Sequence, residues 1–373
     1  MPKKSLKAQT KTQSTSIWQI VREFLPTLPK NSALKRLTLG FLALLMIVVA
    51  GMYGVGEWYI HSQTNQPMQY GVSFIPDYAS FLGVDPQQTM DALVNIGVKD
   101  FRLTSYWSDG EPTKGHYDFT QLDWEFAKAD AAHAKIDLTV GLRQPRWPEC
   151  HAPSWVNTAA PTADWQPQLE AYMSAVINRY KDNPALQSYQ LENEYFLKGF
   201  GDCNNFSRSR LISEYNLVKK DDPLHPVVIG RSNNALGTPI GKPTPDEFSI
   251  SVYQRVWDAG ITHRYLEYPQ PSWFYAFLAG VQKITTGKNM MIGELQAEAW
   301  PPHGQTIPNT SLAEQNKSIN AKALQGRFSF AQKTGMKQAY LWGAEYWYYR
   351  QQVLQDPSLM NVAKQEFSAN PNT

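Results

Sequence analysis

Hydrophobic and polar positions divide this chain into three regimes. Residues 1–36 are polar and basic, residues 37–56 run for twenty positions without a charge, and beyond residue 69 short apolar runs alternate with amphipathic stretches. The short runs lie at 70–74, 100–104, 137–142, 186–192, 227–230, 248–253, 290–294 and 338–342, rich in the β-branched and aromatic residues that suit strands. Amphipathic stretches at 86–96, 120–134, 165–180, 207–219, 273–284 and 311–333 predict helices between them. Strands that alternate with helices predict a parallel sheet, because parallel neighbours need crossover connections. Eight such strands predict a (β/α)8 TIM barrel, whose usual size is about 250 residues. The stretch 231–247 holds Gly237, Gly241, Pro243 and Pro245 and offers no helix after the fifth strand. A doubly wound open sheet is the alternative, but no glycine-rich phosphate fingerprint follows the first strand.

The uncharged run is long enough, at about 1.5 Å per residue, to cross a hydrocarbon core of about 30 Å. Trp58 and Tyr59 follow it where interfacial aromatics settle. A buried core helix would show a polar face, and a cleaved signal peptide a shorter leader with a small-residue site; this run has neither. It reads as an uncleaved signal anchor spanning 37–60, with residues 61–68 as a polar linker and 69–373 as the barrel domain. The basic residues before it predict a cytoplasmic N-terminus and an extracytoplasmic barrel at the cell membrane. Within the tail, residues 18–25 read either as a short amphipathic turn on the inner leaflet or as solvated chain.

Charge sharpens this division. The whole chain carries +2, yet residues 1–36 hold eight basic residues against Glu23 alone, so the rest is −5. Neither figure supports a nucleic-acid partner. The exported part has few charges and many rings, with twelve Trp and nineteen Tyr in the chain. That content suits a neutral, ring-shaped ligand.

In a barrel of this kind, chemistry is built at the C-terminal ends of the strands. The fourth run ends at Asn193-Glu194 and the seventh at Glu294, 100 residues apart, a separation that accommodates three βα units. Two carboxyls facing each other across a barrel mouth allow one to attack an anomeric carbon while the other protonates the leaving oxygen. Glu192 rivals Glu194, and Glu298 rivals Glu294, each sharing a face with its neighbour. Either glutamate alone reads as a solvated loop residue; the joint placement points to catalysis.

Asn193-Glu194 after an apolar strand, Ile292-Gly293-Glu294 three units later, and the segments Arg102-Leu-Thr-Ser-Tyr-Trp107 and Glu111-Pro-Thr-Lys-Gly115 resemble the clan A retaining glycoside hydrolases of the family 5, 39 and 42 types. The resemblance runs from about residue 70 to residue 350. It implies Glu194 as general acid/base and Glu294 as nucleophile. It also implies Asn193 on the sugar's 2-hydroxyl, Arg102 orienting Glu294 and keeping it ionised, Tyr253 bonded to the nucleophile, and Trp342 as an aromatic floor. Packing is the plainer role for Tyr253 and Trp342, and an ion pair at a strand end for Arg102.

Trp107, Trp147, Trp155, Trp257, Trp300 and the run 346–349 fall in expected loops on the same face, and aromatic faces stack on the C–H faces of sugars. Trp107, Trp147, His151, Glu298 and Trp300 are therefore candidate substrate contacts, His151 being equally readable as solvated. Cys150 and Cys203 fall in adjacent loops of that face and are expected to be bridged in an oxidising compartment. No metal-ligand spacing occurs, and no cofactor is expected. The leading reading is a membrane-anchored retaining glycosidase acting on β-linked oligo- or polysaccharides. A binding-only surface protein on the same barrel and a transglycosylase are the alternatives.

Overall fold

The computed structural model describes residues 32–63, 67–203, 206–233 and 240–370. Residues 1–31 of the basic tail, its 18–25 stretch included, lie outside the described residues, and 32–36, expected as tail, already belong to a helix. The chain divides into two units, Met1–Gly54 and Val55–Thr373. In the first unit, the described residues form most of a helix, Ser32–Ser62. From Ala33 that helix is long and apolar enough to cross a membrane, with a mean hydropathy of 2.2 in its most apolar window. Its side chains are largely bare, Leu37 and Ile47 included.

Within the second unit, the residues from Val55 to the end of that helix lie against the barrel. Tyr59 is buried, and a Cβ added at Gly280 would stand 2.8 Å from Val55 Cγ1. The segment 61–68 opens with the end of this helix, and residues 64–66 lie outside the described ones.

Among the described residues, the rest of the unit is built on ten strands: β1 Gln69–Ser73, β2 Asp100–Thr104, β3 Lys135–Val140, β4 Leu186–Leu191, β5 Val227–Arg231, β6 Glu247–Val252, β7 Arg255–Asp258, β8 Arg264–Glu267, β9 Met290–Gln296 and β10 Gln338–Trp342. Eight of them close a barrel in the order β1-β10-β9-β6-β5-β4-β3-β2, and every pairing in it is parallel. The closed barrel excludes the open doubly wound sheet. Its strands are buried on both faces, but many inward positions are polar, Arg102, Asp137, Gln190 and Ser251 among them, so the runs alternate with polar residues. Outward residues such as Val72, Leu103, Leu138, Ile250 and Leu341 are fully buried under the helices. Each such aliphatic side chain contributes roughly 1.5–3 kcal/mol through burial.

The helical expectations need adjusting, and the helices Pro76–Phe81, Trp107–Gly110 and Ser358–Ala369 add to them. The stretch 311–333 is two helices, Leu312–Gln315 and Ala321–Gln332, because Asn320 caps the second by accepting from the Ala323 amide at 3.0 Å. The aromatic run expected as a loop lies in the helix Glu345–Gln352, with Tyr346, Trp347 and Tyr349 buried. After β6 the chain adds an antiparallel hairpin, β7–β8, before the helix Ser272–Thr286.

Candidate active site

The chain at the end of β4 takes an uncommon path. Glu192 and Glu194 both have positive φ, 58° and 42°. For residues with a Cβ this conformation costs about 1–2 kcal/mol, so the surroundings must impose it. Glu192 supplies the anchor. Its carboxylate accepts the amides of Leu142 and Arg143 at 2.8 and 2.9 Å and a guanidinium hydrogen bond from Arg210 at 2.7 Å. A Cβ at Gly141 would fall 2.6 Å from Glu192 Oε1, so only glycine leaves room for this seat. Fully buried and committed to these donors, Glu192 is a structural residue. The turn it fixes directs Asn193 and Glu194 into the barrel mouth.

Glu294 leaves β9 into the same mouth. Arg102 on β2 donates from Nη1 to Glu294 Oε1 at 3.0 Å, and Tyr253 donates its hydroxyl to Oε2 at 2.7 Å. The same guanidinium donates to Asn193 Oδ1 at 3.0 Å and to Gln190 Oε1 at 2.7 Å. Arg102 therefore ties β2, β4 and β9 together through one planar group, which a lysine has no geometry to replace.

Glu194 stands in a different environment. Ser251 on β6 donates to its Oε1 at 2.5 Å, and no cation pairs with it among the described residues. Burial, with the charge of Glu294 adding to it, pushes Glu194 up to about 8. The two carboxyls thus divide into one clasped by donors and one that keeps its proton at neutral pH.

The loop between β3 and the helix Thr162–Tyr180 adds a third carboxyl. Glu149 accepts from Asn193 Nδ2 at 3.1 Å and pairs with Arg143 at 3.4 Å. Burial raises it to about 7, against the opposing charge of Arg143. Arg146 from the same loop pairs with Glu298 at 3.2 Å and lies 3.3 Å from the ring centre of Tyr78 and 4.5 Å from that of Trp342. Cys150 and Cys203 are bonded, which fastens this loop to the one after β4.

Glu194, Glu294, Asn193, Glu149, Tyr253 and Trp342 line one cavity of about 550 Å³. A second cavity, about 870 Å³, shares Arg146, Trp147, Glu298 and Trp300 with it and adds Asp77, Tyr78, Phe81 and His151. Together they form a groove of the size and aromatic character that holds a small molecule or a chain segment.

Most of the expected residues meet here. Trp147 is exposed between the two cavities, and Trp300 stands edge-on to Tyr253 with ring centres 5.5 Å apart. Trp342 faces the cavity, but the Arg146 guanidinium covers part of its ring. Glu298 is turned toward Arg146 and lies between the cavities. His151 reaches only the second cavity, stacked on Tyr106 at 3.6 Å, and burial lowers it to about 4, so its ring is neutral.

Trp107 does not join the groove. It is fully buried in the short helix Trp107–Gly110, donates to Glu111 Oε2 at 2.7 Å and packs edge-on against Trp155. Its role is in the core, because that helix turns its ring inward. Trp257, expected among the aromatics of this face, lines the catalytic cavity from the hairpin, while Glu149, Arg146, Ser251 and Asp258 are the contributors that sequence reasoning missed. The alternation of charge around Trp147 in the loop after β3 was the one available signal for the first two. Among the described residues, no group of His, Cys, Asp and Glu is arranged to hold a metal ion.

No family model matches the sequence, and no curated protein matches it. The fold is nevertheless that of clan A glycoside hydrolases. A family 39 glycoside hydrolase from Bacteroides cellulosilyticus WH2 superposes with a TM-score of 0.52 at 15% identity, over 83% of this chain and 65% of that one. This chain thus spans just under two thirds of that enzyme's length. A GH5_18 protein from Bifidobacterium longum subsp. infantis gives 0.54 at 12% identity, over 83% and 80%. A variant of the GH5_18 protein from Bifidobacterium longum subsp. longum, solved with Manβ1-4GlcNAc, gives 0.54 at 12% identity, over 82% and 80%.

Proposed function

We propose that this chain is a retaining glycosidase that cleaves β-linked glycans, held at a membrane by the helix Ser32–Ser62 with its basic tail on the cytoplasmic side. The observation that carries the reading is the contrast between the two carboxyls in one cavity. Glu294 accepts from Arg102 and Tyr253, while buried Glu194 accepts from the Ser251 hydroxyl. The fold it shares with glycoside hydrolases supports the same reading, as does the disaccharide held by one of those neighbours.

In the first step a Glu294 oxygen attacks the anomeric carbon and the bond to the leaving oxygen breaks. Glu194 gives that oxygen its proton, so the aglycone departs as an alcohol. The glycosyl ester on Glu294 removes a negative charge beside Glu194, which now holds its proton less firmly. As a carboxylate, Glu194 takes a proton from water while the water oxygen attacks the anomeric carbon. The ester bond breaks, Glu294 is freed, and the sugar leaves with its original configuration. In this reading Asn193, held by Arg102 and Glu149 at its two amide ends, bonds a sugar hydroxyl.

The test is hydrolysis of a panel of aryl β-glycosides and polysaccharides by the full-length chain in neutral detergent. Glu194→Ala and Glu294→Ala are each expected to abolish release while the fold persists. Unchanged turnover in either variant, on a substrate the parent cleaves, rejects the assignment.

A further inference from the structure

A third cavity, about 530 Å³, lies beside the hairpin and has no part in the chemistry above. Gln254, Arg255, Glu267, Tyr268, Gln270, Lys317, Lys322 and Arg327 are among its lining residues. Tyr268 also lines the cavity that holds Glu194 and Glu294, so the two spaces are neighbours across one ring.

The charge of this cavity is one-sided. Arg255 pairs with Glu267, and Lys317 pairs with Glu314, which also accepts from Tyr265. Lys322 and Arg327 have no acidic partner within ion-pair distance among the described residues. Arg327 is only 7% exposed, and its guanidinium donates to two neutral acceptors, Gln254 and Gln296, the latter at 3.3 Å. Among the described residues, its buried Nε has no hydrogen-bond partner, and neither have the buried donor Arg255 Nε and the buried acceptor Gln270 Oε1. Burial lowers Arg327 to about 10, against the opposing charge of Glu267.

We propose that this cavity is an anion-binding subsite that receives a carboxylate, sulfate or phosphate group carried by the glycan whose chain occupies the catalytic cavity. A guanidinium bound only to neutral acceptors and a rim lysine, neither of them ion-paired among the described residues, form the donor set that such oxyanions take. A chain leaving the catalytic cavity across Tyr268 brings its next substituents to this wall. The substrate class is then an acidic glycan, in place of the neutral one that the low charge content of the barrel suggested. This inference rests on the glycosidase reading for the glycan, and on the cavity alone for the anion.

Two measurements on the full-length chain in neutral detergent separate those parts. Calorimetry with inorganic sulfate, and separately phosphate, is expected to show saturable binding that Arg327→Gln and Lys322→Glu each weaken about tenfold, the loss of one charged contact. Lys322 is exposed, so Lys322→Glu decides the matter if Arg327→Gln, which also unties Gln254 and Gln296, fails to fold. Next, uronate-bearing polysaccharides and their carboxyl-reduced forms are compared as substrates. The parent is expected to cleave the acidic form of its substrate at least tenfold faster in kcat/KM, and Lys322→Glu to lose that preference while cleaving the reduced form as before. Equal sulfate binding in parent and Lys322→Glu overturns the anion site. Sulfate binding confined to the parent, with no preference between the acidic and reduced forms of a cleaved polymer, overturns the glycan as its source. If no polymer of any charge is cleaved, the glycosidase reading fails, and the sulfate result still decides the anion site.

Discussion

Replacing Glu194 by Gln probes the cost of keeping an uncharged carboxyl in the barrel mouth. In the folded chain burial, then the charge of Glu294, hold this carboxyl at about 8, against 4.5 for the free group. Between those values the folded state keeps a proton that the unfolded state has released. Stability is therefore full below the unfolded pKa and falls as pH rises through the window toward about 8. At pH 7 the offset is about 2.5 units, and at 1.36 kcal/mol per unit the cost is about 3 kcal/mol. At about pH 4 both states are protonated and the cost is close to zero. Glutamine keeps the shape and accepts the Ser251 hydrogen bond, but has no proton to lose. Glu194→Gln is thus expected to be about 3 kcal/mol more stable than the parent at pH 7, with a melting temperature higher by about 6 °C, and no more stable at about pH 4. Thermal or urea unfolding of both proteins in neutral detergent at the two pH values measures the difference. A gain of equal size at both, or none at pH 7, refutes the reasoning.

Other outcomes follow from the same geometry. For a substrate that the chain cleaves, kcat/KM is expected to fall on the alkaline side with an apparent pKa near 8, because Glu194 must arrive protonated. A flat profile through pH 9 opposes that role. Arg102→Lys leaves acceptors on Glu294, Asn193 and Gln190 unmatched, so kcat is expected to drop by roughly 10²-fold or more at nearly unchanged secondary structure by circular dichroism. Opening the bond between Cys150 and Cys203, which closes 53 residues, is expected to cost up to about 4 kcal/mol of unfolding free energy in denaturant. Trp107→Ala should act as a core deletion, lowering stability by roughly 3–5 kcal/mol, with KM in any surviving folded protein close to the parent's.

What the sequence disclosed follows from what burial does to it. The outward positions of the barrel strands are apolar, so the strands stand out as short runs whose ends already mark the mouth, even though inward positions such as Arg102, Asp137 and Gln190 are polar. Glu194 and Glu294 were readable for that reason. The hairpin β7–β8 was not, because its residues are half exposed and carry no continuous apolar pattern. The ion pair of Arg146 with Glu298 joins positions 152 residues apart, and no local pattern announces a partner at that distance. Glu149 sits behind Cys150, where the cysteine drew attention and the carboxyl did not. Trp107 was legible only as an aromatic in a connecting segment; whether such a ring faces ligand or core depends on a single turn of helix. Arg327 reads as a surface residue of an amphipathic helix, and only the closed barrel buries it against Gln254 and Gln296.

The measurement that bears most directly on the central claim is mass spectrometry of the full-length chain after exposure to activated 2-deoxy-2-fluoro-β-glycosides. These slow the breakdown of a glycosyl-enzyme more than its formation, so a covalent intermediate accumulates. One fluoroglycosyl adduct is expected, mapping to the peptide that carries Glu294 and absent from Glu294→Gln. Turnover of the corresponding ordinary glycosides with no adduct, or with the adduct on another residue, contradicts the account.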